Sequence, residues 1–142
     1  MMAGMSEGTS AQPPSPAVWP TLRANDARAL IAFLVDVLGF EATVVYGEGD
    51  TVHHAELAWP PGGGVMLSSA RPDDPWGVTK PGNFSAYVVT SDTDALHARA
   101  VARGAKVTHE PHDTDYGSRD FAVQDPEGNR WSFGTYPGHP RK

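Results

Sequence analysis

The sequence repeats one pattern of secondary structure twice, and this repeat limits the folds that the chain can adopt. In the first copy Asp26 precedes an apolar helical segment that ends at Gly39; in the second copy Asp92 and Gly104 take these places, 66 and 65 residues further on. Aspartate is favoured where a helix begins and glycine where it ends. Each helical segment follows one strand pattern and precedes three more. The sequence therefore predicts two βαβββ units of equal size.

The boundaries of the two units follow from this repeat. We expect the first unit over 18–70 and the second over 84–136, joined by a proline- and aspartate-rich surface loop over 71–83. Residues 1–17 are small, polar and rich in proline, which is typical of a disordered leader, and 137–142 form a short tail. The predicted strands are 18–24, 40–46, 51–59, 64–69, 84–90, 105–110, 119–124 and 129–135, with Pro111 ending the sixth.

The composition excludes several classes of function. The chain has 142 residues and a formal net charge of −6, without the basic stripe that binds nucleic acid. It has no cysteine, so disulfides, thiolate metal sites and thiol nucleophiles are excluded. No apolar run approaches the roughly 20 residues of a membrane span, and residues 1–16 lack the basic head and apolar middle of a secretion signal. We therefore expect a cytoplasmic protein that contacts neither nucleic acid nor a membrane.

The expected fold class is α+β. In a βαβββ unit the helix covers one face of a four-stranded sheet and leaves the other face uncovered. Two such sheets can curve into an open, mixed β-sheet barrel around a central cavity. We expect the functional site to lie in that cavity, because small molecules bind in clefts.

Residues 125–129, with the sequence DPEGN, predict a tight turn between the last two strands. Asp125 can accept hydrogen bonds from its own turn, and Gly128 can adopt the left-handed conformation. Apolar and polar residues alternate after the turn, so Trp131 should face the core and Ser132 the opposite side of the sheet.

The paired βαβββ units, the helix end LGFE at 38–41 and the DPEGN turn resemble the vicinal oxygen chelate superfamily, also called the glyoxalase, bleomycin-resistance and extradiol dioxygenase superfamily. The resemblance covers roughly 18–136. Metal-dependent members of that family place their ligands at four positions. The corresponding residues are Trp19, Met66, Ser85 and Ser132. None offers the imidazole or carboxylate that a divalent ion needs, so the resemblance implies neither a metal nor another cofactor.

The same resemblance assigns one face of each sheet to the cavity. On that assignment the cavity-lining residues are Trp19, Thr21, Arg23, Met66, Ser68, Ser85, Tyr87 and Ser132. Two loop aromatics, Trp76 and Tyr116, are expected to flank the cavity mouth, although Trp76 would also suit a dimer interface. Trp19 could instead fill the cavity as core. Rings, hydroxyls and arginine together suit a planar, partly polar organic ligand.

The lack of metal ligands resembles the metal-free bleomycin-resistance branch of the family. That likeness implies a metal-independent protein that sequesters an aromatic or antibiotic-like ligand in the cavity between its sheets, with no catalytic residue. In that branch exchange of modules between chains builds the groove, so a homodimer is implied.

An enzyme is the alternative. His54 and Glu56 share one face of a strand. If that face lines the cavity, they could serve a glyoxalase-like lyase or isomerase, either in a relocated metal site or with Glu56 as a metal-free general base tuned by His54. If it faces solvent, they are a polar surface pair. A third alternative is a protein that regulates or stabilises a partner and has a vestigial cavity.

Overall fold

The computed structural model describes residues 15–141, so most of the predicted leader (1–17) and the last residue of the predicted tail lie outside the described residues. The first unit consists of β1 (Thr21–Ala24), α1 (Ala27–Ala32) with a π-helical turn (Phe33–Val37), β2 (Glu41–Glu48), β3 (Thr51–Ala58) and β4 (Gly64–Ser69). The second consists of β5 (Ser85–Val89), α2 (Thr93–Ala102), β6 (Lys106–Asp113), β7 (Arg119–Gln124) and β8 (Arg130–Gly134). No helix in the described range is long and apolar enough to cross a membrane.

Each unit forms its own four-stranded mixed sheet. The strand order is β1-β4-β3-β2 in the first sheet and β5-β8-β7-β6 in the second. The pairs β1–β4 and β5–β8 are parallel, and the other pairs are antiparallel. This α+β architecture confirms the predicted fold class. Within the described residues no hydrogen-bonded ladder joins the two sheets, which remain separate in a single chain.

Both helices begin and end where the repeat predicts. The Asp26 side chain accepts a hydrogen bond from the backbone N–H of Ala29 at 3.1 Å, and Asp92 makes the matching bond in the second unit at 3.0 Å. Gly39 and Gly104 have φ values of 90° and 82°, in the left-handed region that glycine adopts most readily. The first helix differs from the prediction in its last turn, which is π-helical.

The helix-side faces of the two sheets share one hydrophobic core. Fully buried side chains come from both units, among them Leu22, Leu30, Leu34, Leu57, Leu67, Phe121, Trp131 and Phe133. Phe40 of the first unit packs edge-on against Trp131 of the second, with ring centroids 5.5 Å apart. Burial of each such side chain stabilises the fold by roughly 1.5–3 kcal/mol. Because the core lies between the units, the opposite face of each sheet is left uncovered.

Strand β6 departs from the prediction. It runs through Pro111 to Asp113, whereas we expected Pro111 to end the strand at 110. β6 is an edge strand, and its register with β7 is irregular between His109 and His112. A proline is tolerated there because no neighbouring strand needs the missing N–H. His112 therefore lies on the same strand as His109 rather than in a loop after it.

The DPEGN turn is held by the buried carboxylate of Asp125. It accepts hydrogen bonds from the backbone N–H groups of Glu127 and Asn129, both at 2.9 Å, and from the indole Nε1 of Trp131 at 2.8 Å. Asn129 in turn accepts a hydrogen bond from the backbone N–H of Phe84 at 3.0 Å, which fixes the start of β5. The glycine of the turn has a φ of 100°, as predicted.

Two side chains of the second unit contact the ends of the first helix. Glu127 accepts hydrogen bonds from the backbone N–H groups of Asn25 and Asp26, at 2.7 and 2.8 Å. Arg99 donates to the carbonyl oxygens of Asp36 and of the residue before it, at 3.1 and 3.3 Å. An acidic group at the beginning of a helix and a basic group at its end both offset the helix dipole. These contacts orient the second unit on the first.

Candidate functional site

The uncovered side of the first sheet, which we call the first face, carries several of the predicted ligand-binding residues. Leu22 of β1 is buried in the core, so Thr21 and Arg23 point to the opposite side. The register between β1 and β4 places Thr21 beside Met66 and Arg23 beside Ser68. These four side chains therefore form two adjacent rows on the first face.

The first face forms a groove of about 640 Å³. This volume lies within the range of roughly 300–1,000 Å³ that is typical of small-molecule sites. Its lining includes Thr21, Arg23, His54, Met66, Ser68 and Trp76. The structure thus brings together five of the residues predicted to bind ligand and one of the two alternative catalytic residues.

Asp74 ties the loop between the two units to this groove. Arg23 Nε donates a hydrogen bond to Asp74 Oδ2 at 2.7 Å, and the backbone N–H of Trp76 donates to Oδ1 at 3.1 Å. The guanidinium of Arg71 lies 3.8 Å from the same carboxylate. Partial burial acts to raise the pKa of Asp74, but the hydrogen bonds from Arg23 and Trp76 and the two guanidinium charges outweigh it and hold that pKa below its usual 3.8.

The result is an indole held at the edge of the groove. The backbone of Trp76 is fixed by Asp74, while its side chain is 75% exposed. Large exposed aromatic side chains are typical of binding surfaces, because they provide much apolar contact area at little cost in conformational entropy.

His54 and Glu56 also lie on the first face. Glu56 is paired with Met66 across the β3–β4 ladder, and its Oε2 lies 2.8 Å from His54 Nε2. The ring of Tyr46 stacks on that of His54, with centroids 6.5 Å apart. A carboxylate bonded to one imidazole nitrogen orients the ring and favours one tautomer. The pair is therefore chemically able to accept a proton from a ligand in or beside the groove.

A β-bulge at His53 places the His54 side chain on the first face. Tyr46 pairs with His54 and Gly47 with Val52, so His53 is the extra residue of its strand. Alternation counted from the buried Val52 would place His54 in the core; the bulge reverses this. Gly47 is required there, since an added Cβ would lie 2.1 Å from a backbone oxygen of β3.

Trp19 lies outside the groove, in an adjoining cavity of about 320 Å³ that Glu56 also lines. Its half-buried indole packs over Gly64, where an added Cβ would lie 2.9 Å from Trp19 Cζ3. The indole therefore leaves the groove on the first face open.

Ser85, Tyr87 and Ser132 lie on the uncovered side of the second sheet, which we call the second face. Tyr87 of β5 is beside Ser132 of β8. Trp131, which precedes Ser132 on β8, is buried in the core, so Ser132 points to the opposite side of the sheet. The second face points away from the shared core, as the first face does. In a single chain the predicted lining residues therefore fall into two separate groups.

Tyr116 belongs to the second group, so the structure places it and Trp76 on different faces. It lies in the turn between β6 and β7, and its hydroxyl is 3.4 Å from Asp120 Oδ2. Tyr87 donates a hydrogen bond to the backbone carbonyl of Tyr136 at 2.8 Å. Burial, together with the negative charge of Asp120, raises the pKa of Tyr87, and this outweighs the hydrogen bonds that lower it.

Three charged residues of these faces were missed by the sequence analysis: Arg71, Asp74 and Asp120. Asp120 could have been found, because it precedes the buried Phe121 on a strand and must face the other way. Asp74 could not, since its partner Arg23 is 51 residues away in the chain.

The residues at the family's metal-ligand positions do not fit a divalent ion. Trp19 has no lone pair to offer, Met66 only a thioether, and Ser85 and Ser132 neutral hydroxyls. Within residues 15–141, no group of three His, Cys, Asp or Glu side chains is close enough to share one ion. We therefore derive no chemical step through a metal.

Comparison with known proteins agrees with the fold described above. The model of the Glyoxalase/Bleomycin resistance protein/Dioxygenase superfamily matches residues 17–133. The crystal structure of TioX from Micromonospora sp. ML1 superimposes with a TM-score of 0.67 at 28% identity, covering 83% of this chain and 98% of that one. TnmS3 from Streptomyces sp. CB03234, an antibiotic binding protein, superimposes with a TM-score of 0.62 at 23% identity, over 92% of this chain and 97% of that one. None of the curated protein sequences compared with the chain matches it.

Proposed function

Because the chain belongs to the glyoxalase/bleomycin resistance protein/dioxygenase superfamily, we propose that it is a metal-independent small-molecule-binding protein of the bleomycin-resistance type. It sequesters an aromatic or antibiotic-like ligand between two sheets, and it acts in the cytoplasm as a homodimer. TnmS3 supports this proposal, since it is an antibiotic binding protein with the same fold.

The observation that carries the proposal is the groove of the first face with Trp76 at its edge. A planar ligand would stack on the indole and on Met66, and its polar groups would meet the hydroxyls of Thr21 and Ser68. Arg71, which shares Asp74 with Arg23, would meet an acidic or phenolic group.

A second copy of the chain is the proposed cover of this groove. One chain leaves both faces open, and a ligand held between two sheets needs both of them. In a twofold dimer the second face of one chain would lie over the first face of its partner, and the same contact would occur twice. Tyr87 and Val89, which are 44% and 38% exposed on the second face, would supply apolar contact area.

Tryptophan fluorescence with a panel of aromatic antibiotics tests the ligand. We expect saturable quenching by a ligand that binds. The affinity obtained from it should be about tenfold weaker in Trp76→Leu and nearly unchanged in Trp76→Phe, because an aromatic ring stacks on the ligand and an aliphatic chain does not. Val101→Ala on the exposed side of α2 is the control. Equal affinity of Trp76→Leu and wild type for every ligand that binds would reject the groove as the site.

Elemental analysis of untagged protein tests metal independence. After incubation with Zn²⁺, Ni²⁺, Mn²⁺ and Fe²⁺, we expect far less than one ion per chain and unchanged ligand affinity in the presence of a chelator. Stoichiometric metal that disappears in a His54→Ala, Glu56→Ala variant would contradict the proposal. Light scattering at known concentration would show whether the protein is the expected dimer.

The second candidate function is a glyoxalase-like lyase or isomerase, and the placement of His54 and Glu56 on the first face favours it. Glu56 would act as the general base, with His54 bonded to its carboxylate. Turnover of a hemithioacetal by the wild type, lost in Glu56→Gln but kept in Glu41→Gln, would support this function. Glu41 is a suitable control because it lines the same small cavity as Glu56.

A further inference from the structure

Asp120 lies on the second face, and among residues 15–141 its carboxylate has hydroxyl partners and no cationic one. Ser118 donates a hydrogen bond to Oδ1, and Tyr116 donates to Oδ2 at 3.4 Å. In the described part of the chain, no Arg, Lys or His side chain lies within 4.0 Å of it. The neighbouring residue Arg119 forms salt bridges with Asp94 and Asp113 instead.

The cross-strand neighbour of Asp120 is also engaged elsewhere. His112 lies opposite Asp120 in the β6–β7 ladder, yet its Nδ1 is 2.8 Å from the backbone carbonyl oxygen of Glu110. Among the described residues, this half-buried carboxylate is therefore paired with hydroxyl groups and with no cationic side chain.

Tyr116 and Tyr87 lie beside this carboxylate with their hydroxyl ends, and Tyr136 packs on Tyr116. Tyr116 and Tyr136 pack edge to face, with ring centroids 5.7 Å apart. Asp120 and Tyr87 converge over Gly134, where an added Cβ would lie 2.1 Å from Asp120 Oδ1 and 2.6 Å from Tyr87 Oη. Because Gly134 has no side chain, the Asp120 carboxylate and the Tyr87 hydroxyl can both lie directly over its backbone.

This combination selects one class of ligand group. Aromatic rings attract organic cations through their negative faces, and a single carboxylate supplies the opposite charge. An anion would be repelled, and a divalent metal would need more charged oxygen ligands than one carboxylate. The raised pKa of Tyr87 keeps its hydroxyl protonated at neutral pH, so Asp120 carries the only charge of the cluster.

We propose that Asp120, Tyr87 and Tyr116 form a subsite for an alkylammonium group. This inference rests on the proposed function in one respect: the ammonium would belong to the ligand that is held between the sheets. The subsite is nevertheless on the second face and can be tested without that ligand.

Choline and its neutral carbon isostere, 3,3-dimethylbutan-1-ol, are the probes. At constant ionic strength we expect saturable choline binding in chemical-shift titrations, and at least about tenfold weaker binding of the isostere, which has the shape without the charge. Asp120→Asn should weaken choline binding about tenfold or more, and Tyr116→Leu several-fold. Equal binding of choline and the isostere to the unaltered protein would overturn the proposal.

Asp115→Asn is the matched control, because it removes the same charge from an exposed position in the turn that carries Tyr116. An equal loss of choline affinity in Asp115→Asn and Asp120→Asn would mean that choline responds only to net charge, and would also overturn the subsite. If Asp120→Asn fails to fold, the difference in affinity between choline and its isostere for the unaltered protein tests the proposal by itself.

Trp76→Leu separates this inference from the proposed function. We expect its affinity for aromatic ligands to fall about tenfold while its choline affinity stays within about twofold of the wild type. If the wild type binds aromatic ligands but not choline, the subsite is refuted and the proposed function is not. Choline binding without any aromatic ligand would refute the sequestration of aromatics and leave the subsite.

Discussion

The two units agree on the side of each sheet that faces the core and differ on the side that faces outward. Residues 66 positions apart, such as Leu57 and Val123 or Leu67 and Phe133, are buried in both. On the outward side Arg23, Glu56 and His54 of the first unit correspond to Val89, Ala122 and Asp120 of the second. At these positions the first face is therefore charged and grooved, whereas the second face has small side chains and a single carboxylate.

This difference indicates where function resides. The core-facing positions must fill one shared interior, so both copies keep apolar side chains there. The outward positions are free of that requirement, and they carry the groove on one unit and the proposed cation subsite on the other.

The hairpins that precede the last strands differ as well. Asp125 of the second unit corresponds by the same offset to Trp59 of the first. Both hairpins close by the same pair of backbone bonds: Trp59 N donates to Gly63 O at 3.0 Å, and Asp125 N donates to Asn129 O at 2.9 Å. Only the second adds a buried carboxylate that accepts further hydrogen bonds, so its stability should depend more strongly on one side chain.

The largest expected effect is that of Asp125→Ala. The change leaves two backbone N–H groups and the Trp131 indole N–H without their acceptor in a buried place, which should cost about 3 kcal/mol or more of unfolding free energy. Urea denaturation followed by circular dichroism measures it, with Asp115→Ala as the exposed control. A loss below about 1 kcal/mol would show that the two hairpins do not differ in this way.

Glu127→Ala should have a smaller effect, because Glu127 joins the units without being fully buried. Its loss leaves the Asn25 and Asp26 N–H groups to water, and we expect about 1 kcal/mol of destabilisation. Glu48→Ala, in an exposed strand end, is the control in the same denaturation experiment. No difference between the two variants would mean that Glu127 does not hold the second unit against α1.

The sequence was sufficient for the fold because the fold is specified by local patterns that occur twice. Asp26 and Gly39 mark the ends of one helix, and Asp92 and Gly104 those of the other. The apolar alternation of Trp131 and its neighbours likewise identified the core side of the last strand.

The site could be predicted only in part. Thr21, Arg23, Met66 and Ser68 follow from strand alternation, whereas the direction of His54 depends on a bulge that alternation does not reveal. The placement of Trp76 depends on an ion pair between distant residues, and the separation of the two faces depends on how the units pack. These features are tertiary, and no local pattern encodes them.

Asp74→Asn should affect the first face alone. It removes the charge that holds the loop while keeping the size of the side chain, so the midpoint of unfolding should fall only slightly. Acrylamide should quench Trp76 more strongly, and affinity for an aromatic ligand should fall several-fold because the indole is no longer held in place. Asp73→Asn is the control, since it removes the same charge from the neighbouring residue. Choline binding to the second face should not change in either variant.

The smallest expected effect is the pH dependence of this loop. The pKa of Asp74 is held below 3.8 in the folded protein, so the carboxylate stays ionised and the loop stays attached from neutral pH down to about 4. The stabilisation is lost only as the pH falls through that lowered pKa. Acrylamide quenching of Trp76, taken as the difference between the wild type and Trp76→Phe, should therefore be constant from pH 7 to pH 4 and rise below it. In Asp74→Asn it should be high throughout. A rise between pH 7 and 5 would instead show that the loop detaches while Asp74 is still ionised, and the first face would then not owe its shape to the Asp74 carboxylate.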